Sequence, residues 1–243
     1  MAALRLHRQM LSDGIDSRFL YSKDDRQTNQ TQAIQNASQI QWVEPKIPTG
    51  FFANYREKRR VKKIFSLYDR HIAERSSDLE LVSMPSLEEK TAHNLFAEKS
   101  NLVHLHWLAF MVDYPSFFAG IPDSVPIVWT LHDMNPFTGG CHYSNGCERF
   151  AVGCGACPLI ENPGRSDVSR FGFKIKQQAF KNKNIHVVAP SRWIKDLAAR
   201  SSIFPSSTIF HHIRLGFDLQ QFCLLYTSPS PRDQRGSRMP SSA

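Results

Sequence analysis

The chain has 243 residues, a net charge of +8 and a pI near 9.4, with 41% hydrophobic and 21% charged residues. That composition is ordinary for a globular protein and excludes a disordered or fibrous chain. No apolar run reaches the ~18 residues a membrane-spanning helix needs, and the opening MAALRLHRQMLSDG lacks the apolar core of a secretory signal.

The cytoplasm is therefore the expected compartment, where cysteines stay reduced. The basic surplus points to polyanionic or phosphorylated partners, or simply to a solvated Lys/Arg-rich surface.

The opening ALRLHRQMLSDGID has the apolar spacing of an amphipathic helix, with Gly14 placed to end it. Residues 17–21, SRFLY, read as a short strand, so helix and strand together form the second half of a βαβ unit. Residues 22–41 are rich in Asn, Gln, Asp and Ser and read as loop or weak structure. Residues 51–75 have helical apolar spacing and carry the basic run YREKRRVKK. Two readings of that helix stand: a peripheral contact with anionic lipid, or a solvated outer helix of an α/β domain.

Three segments read as buried parallel strands: LVHLH at 102–106, PIVWTL at 126–131 and IHVVA at 185–189. Met111, Phe117 and Phe118 between the first two read as core. Each strand runs into polar residues: His106-Trp107, His132-Asp133 and Ser191-Arg192. Ser191 is placed to cap a helix over 193–200, and 207–213 reads as one more strand. Alternating strands and helices predict an α/β fold, a Rossmann-like doubly wound parallel sheet covered on both faces. Ligands bind such sheets at the carboxyl ends of the strands, where these polar residues fall.

A neutral imidazole at a strand end can donate to a substrate or accept its proton, and a neighbouring carboxylate can orient it. His132 and Asp133 are thus the candidate catalytic pair. His106, Ser191 and Arg192 are the candidate substrate-binding residues on the same edge. His104 is assigned to packing, on the face away from His106.

The loop that follows contains Cys141, Cys147, Cys154 and Cys157 in the spacing C-x5-C-x6-C-x2-C. A CxxC on a glycine turn can supply two corners of a tetrahedral zinc site, and the looser first pair the other two. Buried reduced thiols are the other reading. A reactive CxxC is not favoured, because no helix clearly begins at Cys154 to lower its pKa. Gly139-Gly140 reads as a turn. There is no G-x-x-x-x-G-K-[ST] and no G-x-G-x-x-G, so the chain shows no nucleotide cradle of its own. Residues 223–243 are Ser/Pro/Arg-rich and aperiodic, and they resemble a translated sequencing adapter rather than native protein.

Together, LVHLHW (102–107), PIVWTLHDMNPFTGGCHYSNGCERFAVGCGACPLI (126–160), VVAPSRWIKDLAARSSIF (187–204) and IRLGFDLQQF (213–222) resemble the N-terminal domain of bacterial glycosyltransferase family 4. The branch is the one that builds capsular, exopolysaccharide and O-antigen sugars. The resemblance is strong over 81–222 and patchy over 22–80. It implies a GT-B fold, with 1–222 as the acceptor-side domain lacking its first strand and glycine loop.

It also implies retaining transfer from a nucleotide diphosphate sugar to a saccharide or lipid-linked acceptor. No cofactor is required for that catalysis, although a structural zinc remains open. On this reading His132 lies near the donor sugar or acceptor, with Asp133, His106, Ser191 and Arg192 around it. The chain is then a fragment without the second domain, expected to be inactive alone; it is expected in the cytoplasm, and peripheral at the inner face of the membrane only on the lipid-contact reading of 51–75. The competing reading is a basic zinc module that contacts nucleic acid. It is disfavoured because the basic residues lie far in sequence from the cysteines, so no nucleic acid is expected as a partner.

Overall fold

A computed structural model describes residues 2–21, 37–39, 81–85 and 100–216, together with Tyr55, Arg59, Lys62 and Ser66. The chain divides into two compact units, residues 3–214 and 215–243, and only Leu215 and Gly216 of the second are described.

The fold is mixed α/β with a parallel sheet, in keeping with a Rossmann-like arrangement. Helix α1 (Ala2–Ser12) is followed by β1 (Phe19–Tyr21), as the spacing predicts, and Gly14 stands in the left-handed region at φ 77°. His7 is buried, with its Nδ1 2.8 Å from Ser17 Oγ and its ring 5.4 Å from Phe19.

Within the stretch at 22–41, expected as loop or weak structure, one short strand is described. β2 (Ala37–Gln39) pairs in parallel with β1, Leu20 opposite Ser38. Its sequence, Ala-Ser-Gln, carries no strand signal of its own.

The main sheet is parallel, in the order β3 (Val103–Leu105), β4 (Ile127–Thr130), β5 (Ile185–Ala189), β6 (Ile209–His212). Leu105 stands opposite Trp129, and Trp129 opposite Val187. Helices α2 (Tyr114–Gly120), α3 (Val168–Phe180) and α4 (Arg192–Arg200) make the crossovers. One face of β4 and β5 is fully buried by Ile127, Trp129, Ile185 and Val187. Phe118 and Phe180 cover it, with Phe180 edge-on to Trp129 at 5.5 Å. Aromatic pairs of this kind contribute about 1 kcal/mol each beyond their buried area.

The three crossover helices each start where a side chain satisfies free amides. Asp113 accepts from Ser116 N, Asp167 from Ser169 N and Arg170 N, and Ser191 from Ile194 N.

Gly139 and Gly140 lie in a bend, and Gly139 also packs closely on a helix. A Cβ on Gly139 would meet Ser169 O at 2.1 Å, and one on Gly172 would meet Gly139 O at 2.1 Å. The two glycines let the loop after β4 lie directly on the backbone of α3.

Of the expected basic helix over 51–75, Tyr55, Arg59, Lys62 and Ser66 are helical and exposed, with Arg59 5.6 Å from the Tyr55 ring. The rest of it lies outside the described residues, as do 217–243. Among the described residues, no helix is long and apolar enough to cross a membrane.

Candidate functional site

Parallel pairing of β3 and β4 brings their carboxyl ends side by side, so residues 26 apart in sequence become neighbours. His106 Nδ1 and His132 Nε2 share a hydrogen bond of 3.0 Å, and Trp107 Nε1 donates to Asp133 Oδ2 at 2.9 Å. The core tryptophan fixes the strand end from beneath, its Nε1 donating to His106 O at 2.9 Å.

His104 belongs to this cluster and not to packing on the other face. It stacks on His106 with ring centroids 4.6 Å apart and shares a 2.9 Å hydrogen bond with Thr130 Oγ1. The two histidines are two residues apart, and the period of two along a strand puts such residues on one face.

All three imidazoles are held neutral. Burial, and then the neighbouring His104 and His132, take His106 down to about 3. Burial also lowers His104, and it lowers His132 despite the opposing field of Asp133. Within the His106–His132 pair one nitrogen therefore carries the proton and the other accepts it.

Asp133 does not orient His132. Its Oδ2 accepts from His142 Nδ1 at 2.6 Å as well as from Trp107, and its Oδ1 accepts the Asn135 amide at 2.9 Å. Burial alone would raise this carboxyl, but these hydrogen bonds and the His142 ring hold it below the ordinary range. Beyond it, His142 Nε2 lies 2.9 Å from Ser83 Oγ, which accepts from Asn135 Nδ2 at 2.9 Å.

Ser83–His142–Asp133 has the connectivity of a hydrolytic triad. Ser83 is only 2% exposed, however, and both its hydrogen-bonding roles are taken inside the protein, so it cannot act as a nucleophile. The network instead fixes Asp133, and through it the plane of Trp107.

Underneath lies Lys176, fully buried in α3. Its Nζ donates to Asn135 O, to Asn135 Oδ1 at 3.1 Å and to Thr138 O at 3.2 Å, and it sits 5.5 Å from the Tyr114 ring. Burial lowers it to about 8, against the opposing influence of Cys141, Cys154 and Asp133.

His106, Trp107, Tyr114, His132, Asp133 and Asn135 line a recess of about 10 Å³, room for roughly one water. A larger substrate would meet its rim. There Trp107 is 43% and Phe110 47% exposed, their rings edge to face at 6.3 Å, with Phe110 held at φ 59°.

Ser191 and Arg192 follow β5 at the same carboxyl edge and are exposed. Ser191 spends its hydroxyl capping α4, and neither residue lines the recess.

The four cysteines are free and line one cavity together with Gly139, Phe150, Leu159 and Ser169. Burial pushes the Cys141 thiol up to about 11 and the Cys154 thiol up to about 12, and it raises Cys157. Protonated, buried thiols are not nucleophiles. Cys141 directly precedes His142, so this loop and the histidine edge meet at Asp133. Among the described residues, no three His, Cys, Asp or Glu side chains stand converged on a common metal position.

Sequence reasoning missed Ser83, Asn135, His142 and Lys176. Only His142 carried a local signal, as the residue after Cys141.

The chain is similar to a protein of Escherichia coli (strain K12) named "Putative colanic acid biosynthesis glycosyl transferase WcaC", with 24% identity over 241 residues. The match takes in 96% of this chain but 55% of that protein, so the chain spans about half the length of its relative. No family model matches the sequence, and no solved structure matches it closely enough to report.

Proposed function

We propose that this chain is the acceptor-side part of a GT-B glycosyltransferase of family 4 that works in cell-surface polysaccharide synthesis. It moves a sugar from a nucleotide diphosphate sugar to a hydroxyl of a saccharide or lipid-linked acceptor, with retained configuration. The observation that carries this reading is the carboxyl edge of β3 and β4. Three neutral imidazoles, His104, His106 and His132, meet there beside the exposed Trp107, in a chain similar to a named glycosyl transferase.

Sugar hydroxyls call for neutral donors and acceptors, and the apolar face of a pyranose calls for an aromatic surface. His132 is the group in contact with substrate. It hydrogen-bonds a hydroxyl of the donor sugar or acceptor and is poised to exchange a proton. His106 sets its tautomer, and His104 and Thr130 support His106. Asp133 is a positioning residue, acting through Trp107 and His142. Trp107 and Phe110 form the surface for the sugar ring. Arg192 and Ser191 stand further along the same edge, where an anionic or polar part of a substrate would pass. Stabilisation of the departing diphosphate falls to basic groups of the longer protein.

The nucleic-acid reading gains nothing here, because the cysteine loop runs into the histidine edge through His142 and Asp133.

The test is a transfer assay with a panel of nucleotide diphosphate hexoses and a polyprenyl-diphosphate-linked saccharide. The chain is assayed alone and joined to the sequence that continues it in its gene. Product with retained anomeric configuration is expected only from the joined protein. No transfer to any saccharide from either would remove this reading.

A further inference from the structure

We propose that this chain binds one Zn²⁺ ion through the sulfurs of Cys141, Cys147, Cys154 and Cys157. The inference does not depend on the transferase reading.

All four cysteines line one cavity of about 20 Å³, large enough for a single ion. A water there would need two to four polar partners. The walls supply mainly sulfur and the apolar surfaces of Val82, Phe150 and Leu159. The site therefore fits a thiophilic cation better than solvent.

The backbone around the cavity is shaped for sulfur. Gly139 N–H donates to Cys154 Sγ at 3.2 Å, and the Leu159 amide bonds the Cys157 sulfur. Backbone N–H groups aimed at thiolates are the outer-shell contacts that tune a metal–thiolate centre.

Gly153, Cys154, Gly155 and Ala156 are all left-handed, at φ 108°, 58°, 96° and 46°. For Cys154 and Ala156 that conformation costs on the order of 1 kcal/mol each, and it persists where the surroundings require it. Here it turns Cys154 and Cys157 toward the same cavity.

Binding is balanced as four thiols plus Zn²⁺ giving the tetrathiolate and four protons to solvent. The four sulfurs are not converged on a common metal position, so binding requires them to turn inward.

The ion would be structural. It would tie residues 141–157 into one unit and hold His142 against Asp133.

The test is elemental analysis of the full chain purified without chelator, followed by replacement with Co²⁺. One zinc per chain is expected, along with the visible bands of tetrahedral cobalt and strong sulfur-to-metal charge transfer. Cys154→Ser and Cys147→Ser should each weaken zinc retention roughly tenfold or more, while His132→Ala retains the metal. Wild-type cobalt spectra decide the matter even if the serine variants fail to fold. Folded protein free of zinc and without the charge-transfer band would overturn the proposal. So would iron in place of zinc, or a folded Cys154→Ser variant with undiminished zinc.

Discussion

The edge at β3 and β4 and the loop that follows it are built from the same stretch of chain and solve opposite problems. At the edge, His106 and His132 are polar groups left partly accessible, each satisfied by the other, with an exposed indole beside them. Around the loop, His142, Ser83, Asn135 and Lys176 are buried polar groups satisfied by one another, by Asp133 and by backbone carbonyls. Asp133 joins the two, accepting Trp107 on one side and His142 on the other. The difference teaches that the motif's polar residues divide into groups that can meet substrate and groups that hold those groups still. Sequence proximity does not sort them, since His132 and Asp133 are adjacent and fall on opposite sides of that line.

The sharpest way to break this division is His132→Ala. In the joined transferase, transfer should fall ~10²–10⁴-fold with the melting temperature nearly unchanged. A comparable loss of stability without a specific loss of transfer would put His132 with the structural set.

The converse change is Lys176→Met, which leaves the carbonyls of Asn135 and Thr138 unsatisfied. It should cost about 3 kcal/mol in chemical denaturation, because a buried hydrogen-bonded cation is lost from a low-dielectric site. A neutral outcome would show that solvent already reaches the loop.

Gly172→Ala should cost about 1–3 kcal/mol, because its Cβ has Gly139 O at 2.1 Å and backbone must move.

A smaller effect is expected with pH. The folded-state pKa of His106 lies below its unfolded value, so its contribution is complete above the unfolded value. That contribution falls away as the pH drops from about 6.5 toward about 3. His104 and His132 act in the same direction. His106→Gln should flatten the stability profile over that window, and an unchanged slope would show that the imidazoles are not held neutral.

Much of the fold was legible because apolar short runs, polar strand ends and cap residues are local signals. IHVVA matched β5, and Ser191 capped its helix. The site was legible only along single strand ends. His142 meets a serine 59 residues away and Lys176 an asparagine 41 residues away, and no local pattern encodes such partners. Within α3, FKIKQQAF reads as an ordinary amphipathic helix whose lysines face water. Its position against the loop, permitted by Gly139 and Gly172, buries one of them. His104 was misplaced because residues two apart on a strand share a face, and it therefore stacks on His106 instead of packing on the opposite side.

The central claim is that the β3–β4 edge is where a saccharide meets this chain, and side-chain NMR tests it most directly. With histidine and tryptophan side chains labelled, addition of a saccharide acceptor should shift His132, His106 and the Trp107 indole in a saturable way. His142 should move less, and His186 and His211 at the far strands not at all. Shifts confined to those far histidines, or no saturable shift at the β3–β4 edge, would contradict the account.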